Sequence, residues 1–358
     1  MVAQMVIDRQ YRKAVSAALR SGVSFALLYR KGCNVAEFFA GDTDEDSFSP
    51  GVPEFVAVGW LGSFENRVRI PLCTNPEWIQ GLESVGKVVL PEMPAGLCQE
   101  SLEYYIDSLT GLVDELRTTG GKTVISRAII VGNKALDIVD AADRYFAAAP
   151  DSYRCLFYTP ATGCWLIASP ELLLRIGEGK RFSTMSLAGT RVFVSEEQSL
   201  RPWDDKNIHE QALVTSFIAD TLRNSGAEVH VGETHTRHAA HVEHICTMID
   251  GCLGTETRLS SLLDNLSPTP ALCGTPRGLS IERIRRIERH DREMYGGYFG
   301  VDNRDGSLEL AVNLRSARLF ADGACLFAGG GITADSVPVE EWRETRAKAA
   351  VLSEILMS

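Results

Sequence analysis

The side chains best suited to chemistry are carboxylates and cations on two stretches of helical spacing. Glu210 sits in KNIHEQALV, and Glu341 and Glu344 sit in EEWRET, one turn apart on a shared helical face. Lys348 follows one turn beyond Glu344, and Arg315 precedes the glycine run AGGGI at 328–332. Taken singly, each carboxylate reads as solvated helix charge. Taken together, carboxylates for a hard cation beside Lys and Arg for an anion describe a site for a substrate bearing carboxylates. Mg²⁺ suits such a site, because it takes one or two protein carboxylates and completes its shell with water and substrate oxygen.

Three other patterns suggest chemistry and carry less. TGGKT at 119–123 looks like the end of a phosphate-binding loop, but position 116 is Leu where that motif needs Gly, and Lys122 opens a strand, not a helix. Five histidines, His230, His235, His238, His241 and His244, fall within fifteen residues, yet no HExxH is present. They read as a surface segment with one inward-facing histidine. The run AGGGI is weak alone, although exposed backbone N–H groups can hold an anion.

These residues need elements to position them. The spacing predicts helices over 10–21, Glu103–Thr118, Asp205–Arg223, Ile281–Arg289 and Val339–Leu356. Strands are expected at Phe25–Tyr29, Val35–Phe39, Phe55–Leu61 and Lys122–Val131, with a loop at 41–51. Two hairpins follow, Cys155–Tyr158 with Cys164–Ala168 and Leu172–Ile176 with Arg181–Met185. Three further strands are expected at Gly297–Val301, Leu308–Leu314 and Ala324–Phe327. Strands joined by tight turns indicate an antiparallel sheet, so the expected class is α+β. The first 95 residues differ in texture and are expected to form a β-rich N-terminal subdomain ahead of a catalytic region at 96–358, the two making one continuous structural domain.

The bulk numbers agree with a globular enzyme. The chain has 358 residues, 45% hydrophobic and 23% charged, with a formal net charge of −11. That acidity argues against nucleic acid and membrane surfaces as partners, so an anionic substrate needs local cations. Nine cysteines are scattered with no CxxC pair, and neither a signal peptide nor a membrane span is evident. A cytoplasmic monomer is the expectation.

An ordered series of motifs resembles the chorismate-utilising enzymes. The blocks are KTVISR (122–127), SPELLLR (169–175), SLAGTR (186–191), DDKNIHEQ (204–211), VEHICTMIDG (242–251), SPTPALCGTPR (267–277), YGGYFG (295–300), NLRSARL (313–319), AGGGI and EEWRETRAK (340–348). The resemblance implies packed antiparallel sheets with outer helices and an active site in a cleft between the layers. It implies Mg²⁺ on Glu210 and Glu344, and carboxylate binding by Arg315, the backbone around Gly329, and Lys348. It places Gly189, Thr190 and Ala271 along the substrate and His244 close to its ring. Arg suits a carboxylate because its planar fork can donate two hydrogen bonds.

Within that family, Lys122 resembles the members that add water at ring carbon 2, whereas members that add ammonia carry Gln there. Ala188 stands where the aminodeoxychorismate branch carries Lys. The resemblance therefore implies isochorismate formation of the menaquinone type, without a glutamine amidotransferase subunit. Lys122 would be general base and Glu171 general acid, because hydroxide is a poor leaving group unless protonated. Salicylate synthesis, which continues to pyruvate elimination, is the alternative, and a non-catalytic chorismate-binding relative is another. Two departures stand out: Asn207 where many relatives have an acid, and Gln211 in place of His. Each removes a group from near the expected metal.

Overall fold

The computed structural model describes residues 6–43, 51–80, 90–97, 99–132, 136–195, 201–239 and 242–357. The chain opens with helix α1 (Arg9–Ser21), started by Asp8, whose side chain accepts from the Gln10 N–H, and stopped by Gly22 in the left-handed region. Strands β1 (Ser24–Tyr29), β2 (Ala36–Gly41), β3 (Glu54–Val58) and β4 (Val68–Pro71) follow, then the short α2 (Glu77–Gln80) and the long α3 (Leu102–Thr119). Next come β5 (Lys122–Gly132), α4 (Ile138–Ala148), β6 (Tyr153–Thr159), β7 (Gly163–Ser169), β8 (Leu172–Ile176) and β9 (Arg181–Val192). Helix α5 (Asp205–Asn224) precedes the hairpin β10 (Glu228–Ala239) and β11 (Val242–Cys252), then α6 (Leu259–Leu266), β12 (Gly274–Thr275) and α7 (Arg277–Ile287). The last elements are β13 (Tyr298–Asp302), β14 (Leu308–Val312), β15 (Ser316–Phe320), β16 (Gly323–Ile332) and α8 (Pro338–Met357).

The strands form two sheets of eight. One runs β12-β5-β16-β15-β7-β6-β1-β2 and the other β10-β11-β9-β8-β14-β13-β3-β4. Each pairing between neighbours is antiparallel, as the turn chemistry predicts. Side chains from both layers, among them Ala26, Trp165 and Phe327 from the first and Phe55, Met185 and Phe299 from the second, interlock in one buried cluster. α1, α4 and α8 cover the outside of the first sheet, and α5 and α6 cover the outside of the second. α3 and α7 pack together at the β5 edge around Ile125 and Ile332. The α+β class with outer helices is therefore observed.

The chain changes layer several times, and two of these crossings matter for the site. Ser169–Glu171 leads from β7 to β8, and Asn313–Arg315 leads from β14 to β15. The crossings are tied to each other: Val312 N–H donates to the Glu171 carbonyl at 3.0 Å, and Ala168 N–H to the Arg315 carbonyl at 3.3 Å. The strand expected over Leu308–Leu314 thus stops at Val312, because the chain must leave its sheet there, and β15 is a strand that periodicity alone did not reveal. The first 95 residues supply the outer strands of both sheets, β1 pairing with β6 and β3 with β13.

Candidate active site

A cleft with about 740 Å³ of space not filled by atoms lies between the two layers at these crossings. Glu171, Gly189, Thr190, Glu210, His244, Ala271, Arg315, Gly329 and Lys348 all line it. The remaining two expected residues sit one bond behind that surface. Lys122 Nζ donates to Glu210 Oε1 at 2.5 Å, and Lys348 Nζ is 2.7 Å from Glu344 Oε1. All eleven positions therefore converge, although they come from nine different elements and connections.

The backbone is shaped to allow this. Gly189 is the extra residue of a bulge, since His244 faces Thr190 while Ile245 faces Ala188. Its φ of 66 is in the left-handed region, and a Cβ there would sit 3.1 Å from Asn207 Oδ1 and Ile245 Cδ1. The bulge turns the Gly189 carbonyl toward His244 Nδ1, 3.1 Å away. Gly331 serves a different need. A Cβ at this position would lie 2.5 Å from Lys122 Cε and 2.7 Å from Glu210 Oε1, so the glycine lets β16 pass beneath the Lys122–Glu210 pair without displacing either side chain.

Burial and charge then set the protonation states. Glu171 is 3% exposed, and burial lifts its carboxyl from 4.5 to about 8 against the opposing pull of Lys122. It is a carboxylic acid, not a carboxylate, at neutral pH. Burial would likewise raise Glu210, but the charges of Lys122, Lys348 and Lys206 outweigh it and hold that carboxyl below its usual range. Lys348 is buried too, yet Glu344 keeps its pKa above that of an ordinary lysine. His244 is pushed well below the usual histidine value by burial and by the Arg315 and Lys348 charges. Its neutral ring can donate from Nδ1 to the Gly189 carbonyl and accept at Nε2 from the Arg315 guanidinium, 3.2 Å away. The cleft thus offers a neutral acid, a lysine, two further cations in Arg315 and Lys348, and carboxylates facing ammonium groups.

A protein-family model described as chorismate binding enzyme matches residues 99–357. The chain belongs to the chorismate-binding enzyme family. Among curated relatives, isochorismate synthase EntC of Escherichia coli (strain K12) is 35% identical over 241 residues, 64% of this chain and 61% of that protein. Isochorismate synthase MenF of Bacillus subtilis (strain 168) is 34% identical over 188 residues, 51% of this chain and 40% of that protein. The chain thus spans about two to three fifths of the length of these relatives. The solved structure of MenF, the menaquinone-specific isochorismate synthase from Escherichia coli, superposes with a TM-score of 0.78 at 20% identity, covering 98% of this chain and 92% of that one. That likeness establishes a chorismate-binding fold across nearly the whole chain.

In this family member the two departures have partners of their own. Asn207 Oδ1 accepts from the Thr190 N–H at 3.1 Å and its Nδ2 donates to Asp204 Oδ2 at 2.7 Å. The residue braces the Gly189–Thr190 bulge against the start of α5. Gln211 turns away from the cleft, donating to Ser186 Oγ at 2.8 Å and Thr247 Oγ1 at 3.1 Å. Two residues that motif reading passed over also belong here. Lys206 Nζ donates to Glu341 Oε1 at 2.9 Å, and its pKa is raised because Glu341, Glu210 and Glu344 together overcome the cost of burial. The Tyr295 ring stacks on Phe327 at 5.4 Å, and both line the cleft. The aromatic YGGYFG block was the signal for Tyr295; Lys206, in the DDKNIHEQ block four residues before Glu210, gave none of its own.

The histidine-rich stretch is the β10–β11 hairpin. His230, His235 and His238 are exposed and His244 is buried, while His241 lies outside the described residues. His238 instead packs edge-on against Phe193 at 4.9 Å and lies 3.3 Å from Glu243. Among the described residues no three His, Cys, Asp or Glu side chains form a metal-ligand group.

Proposed function

We propose that this protein is an isochorismate synthase, converting chorismate to isochorismate. The observation that carries the reading is the pairing, in one cleft, of a carboxyl held protonated (Glu171) with a buried lysine (Lys122). Exchange of a hydroxyl between two ring carbons needs an acid for the departing oxygen and a base for the arriving one. In this reading Lys122 first gives up a proton to solvent and then, as the free amine, takes one from water as the water oxygen bonds to ring carbon 2. The ring double bonds shift, the bond from carbon 4 to its hydroxyl breaks, and Glu171 protonates the departing oxygen to release water. Solvent returns the proton from Lys122 to Glu171, so the reaction is a net isomerisation.

Arg315 and Lys348 grip the carboxylates, with His244 orienting the Arg315 fork by accepting from it. Gly189, Thr190 and Ala271 form the wall along the ring. The donor set fits Mg²⁺: Glu210 and Glu344 offer hard oxygens, and a cationic position among three carboxylates already exists, since the Lys206 ammonium feels Glu341, Glu210 and Glu344 together. Glu210 and Glu344 would hold the ion, which when bound supplies a dication for the ring carboxylate. With water as nucleophile, no amidotransferase subunit is needed. No helix among the described residues is long and apolar enough to cross a membrane, and the eight described cysteines are free. Both observations support a cytoplasmic enzyme.

The decisive experiment incubates the purified protein with chorismate and Mg²⁺ and separates the products by chromatography. A mixture of chorismate and isochorismate without pyruvate is the expected result. Salicylate with equivalent pyruvate would instead establish salicylate synthesis, and no turnover would refute both.

A further inference from the structure

Arg315 has φ 50, a left-handed conformation that a residue with a Cβ adopts only when its surroundings compel it. It occupies the layer crossing between β14 and β15, so the direction of its peptide decides where the guanidinium goes. The carbonyl of that peptide accepts two hydrogen bonds: the 3.3 Å bond from Ala168 N–H, and a shorter one of 2.7 Å from the Tyr145 hydroxyl on α4. Tyr145 is 3% exposed and its ring belongs to the core outside the first sheet. A second, small cavity lies behind Arg315, walled by Tyr145, Ala168, Lys348 and Leu352. On its other side Arg315 reaches His244 Nε2 at 3.2 Å.

We propose that Tyr145 is a positioning residue for substrate binding, its hydroxyl holding the Arg315 peptide in the left-handed turn that aims the guanidinium into the cleft. The chain of contacts is short: Tyr145 Oη to the Arg315 carbonyl, Arg315 Nη2 to His244 Nε2, and His244 Nδ1 to the Gly189 carbonyl. Tyr145 touches no part of the cleft surface itself. Without the hydroxyl, the strained turn loses the shorter of these two bonds, and a relaxed conformation with negative φ becomes accessible, in which the fork no longer meets a carboxylate squarely. This role rests on the reading of Arg315 as a chorismate carboxylate ligand.

The test is Tyr145→Phe, which keeps the buried ring and removes only the hydroxyl. A thermal melt first establishes that the variant folds. The primary readout needs no substrate: the ¹⁵N resonance of His244 Nε2, which reports whether Arg315 still donates to it. A shifted resonance in the folded variant is expected, and an unchanged one overturns the positioning role. The second readout is kinetic, with chorismate and Mg²⁺. The KM for chorismate should rise about three- to tenfold, the fold-change of one buried hydrogen bond, while kcat stays within about twofold because uniform binding is what is lost. In an Arg315→Ala background, where no cation is left to aim, the same substitution should leave KM unchanged. A full effect there would show that Tyr145 acts by another route and would overturn the proposal. If the unsubstituted protein neither binds nor converts chorismate, the functional reading fails, and the His244 resonance alone decides the structural role of Tyr145.

Discussion

Glu171 is buried at a cost to the fold, and that cost makes its role testable. Its pKa lies near 8 when folded against 4.5 as an ordinary carboxyl. A carboxyl raised in this way contributes stability that is complete below about pH 4.5 and is lost as pH rises through about 8. Glu171→Gln removes the ionisation while keeping shape. The variant should lose at least about 100-fold in turnover and yet be more stable than the parent at pH 9, by about 1–3 kcal/mol. Thermal melts at pH 6 and pH 9 read this directly; a variant equally destabilised at both would show that Glu171 is not a buried neutral acid. The parent's turnover should also decline above about pH 8, as the acid ionises. Lys122→Ala tests the other half of the chemistry. Turnover should vanish while circular dichroism is unchanged, and full activity would remove Lys122 from the mechanism.

At the scale of elements, the site depends on where strands bulge and how closely they pass. Gly331→Ala would drive a methyl into Lys122 and Glu210, which already lie 2.5 and 2.7 Å from where it would be. Lys122 must move, and a displacement of about 1 Å at a reacting group costs about 100-fold in rate. Gly111→Ala is the control. This glycine lies exposed in the middle of α3 with nothing near its missing Cβ, so the substitution should stabilise by about 0.5–1 kcal/mol without touching turnover. Measuring kcat and melting temperature for both variants separates crowding at the site from any general sensitivity to alanine. Sequence reading reached the residues of this site because each sits in a local motif with its own spacing. It did not reach their pairings. Lys122 and Glu210 are 88 positions apart, and nothing local says that a helix and a strand will bring them into contact. Nor could it tell that Asn207 would spend its amide on the Thr190 bulge, since an Asn beside a carboxylate reads as a weakened metal site until the bulge is seen. β15 was missed for a related reason: the expected strand ran on to Leu314, and only the left-handed turn at Arg315 shows that a new strand begins there in the other layer.

For the molecule as a whole, the two layers are built from strands distant in sequence, and the N-terminal quarter is woven into both. β1 pairs with β6 in one sheet through Phe25–Tyr29, and β3 pairs with β13 in the other through Glu54–Val58. Phe39 and Phe55 stand 6.0 Å apart across the layers, and Phe55 meets Phe157 at 5.3 Å, so these early strands fill the space between the sheets at this end. Charge ties the same region to the rest: Arg30 bridges to Glu309, and Lys31 donates to the Pro170 carbonyl beside Glu171. Texture differences in the first 95 residues suggested a subdomain, because their composition is all that a sequence shows; which strands they pair with is a long-range choice. A chain reduced to residues 96–358 would keep every motif of the family and every side chain of the cleft. It would also expose the backbone edges of β6 and β13 and the apolar faces that Phe25, Phe39 and Phe55 cover. The expected outcome is a fragment that aggregates, or that lacks the near-ultraviolet dichroism of packed aromatic rings, and that shows no chorismate turnover. A soluble fragment with a cooperative melt and measurable activity would show that the catalytic region closes its own core, and that the N-terminal strands are a detachable addition to it.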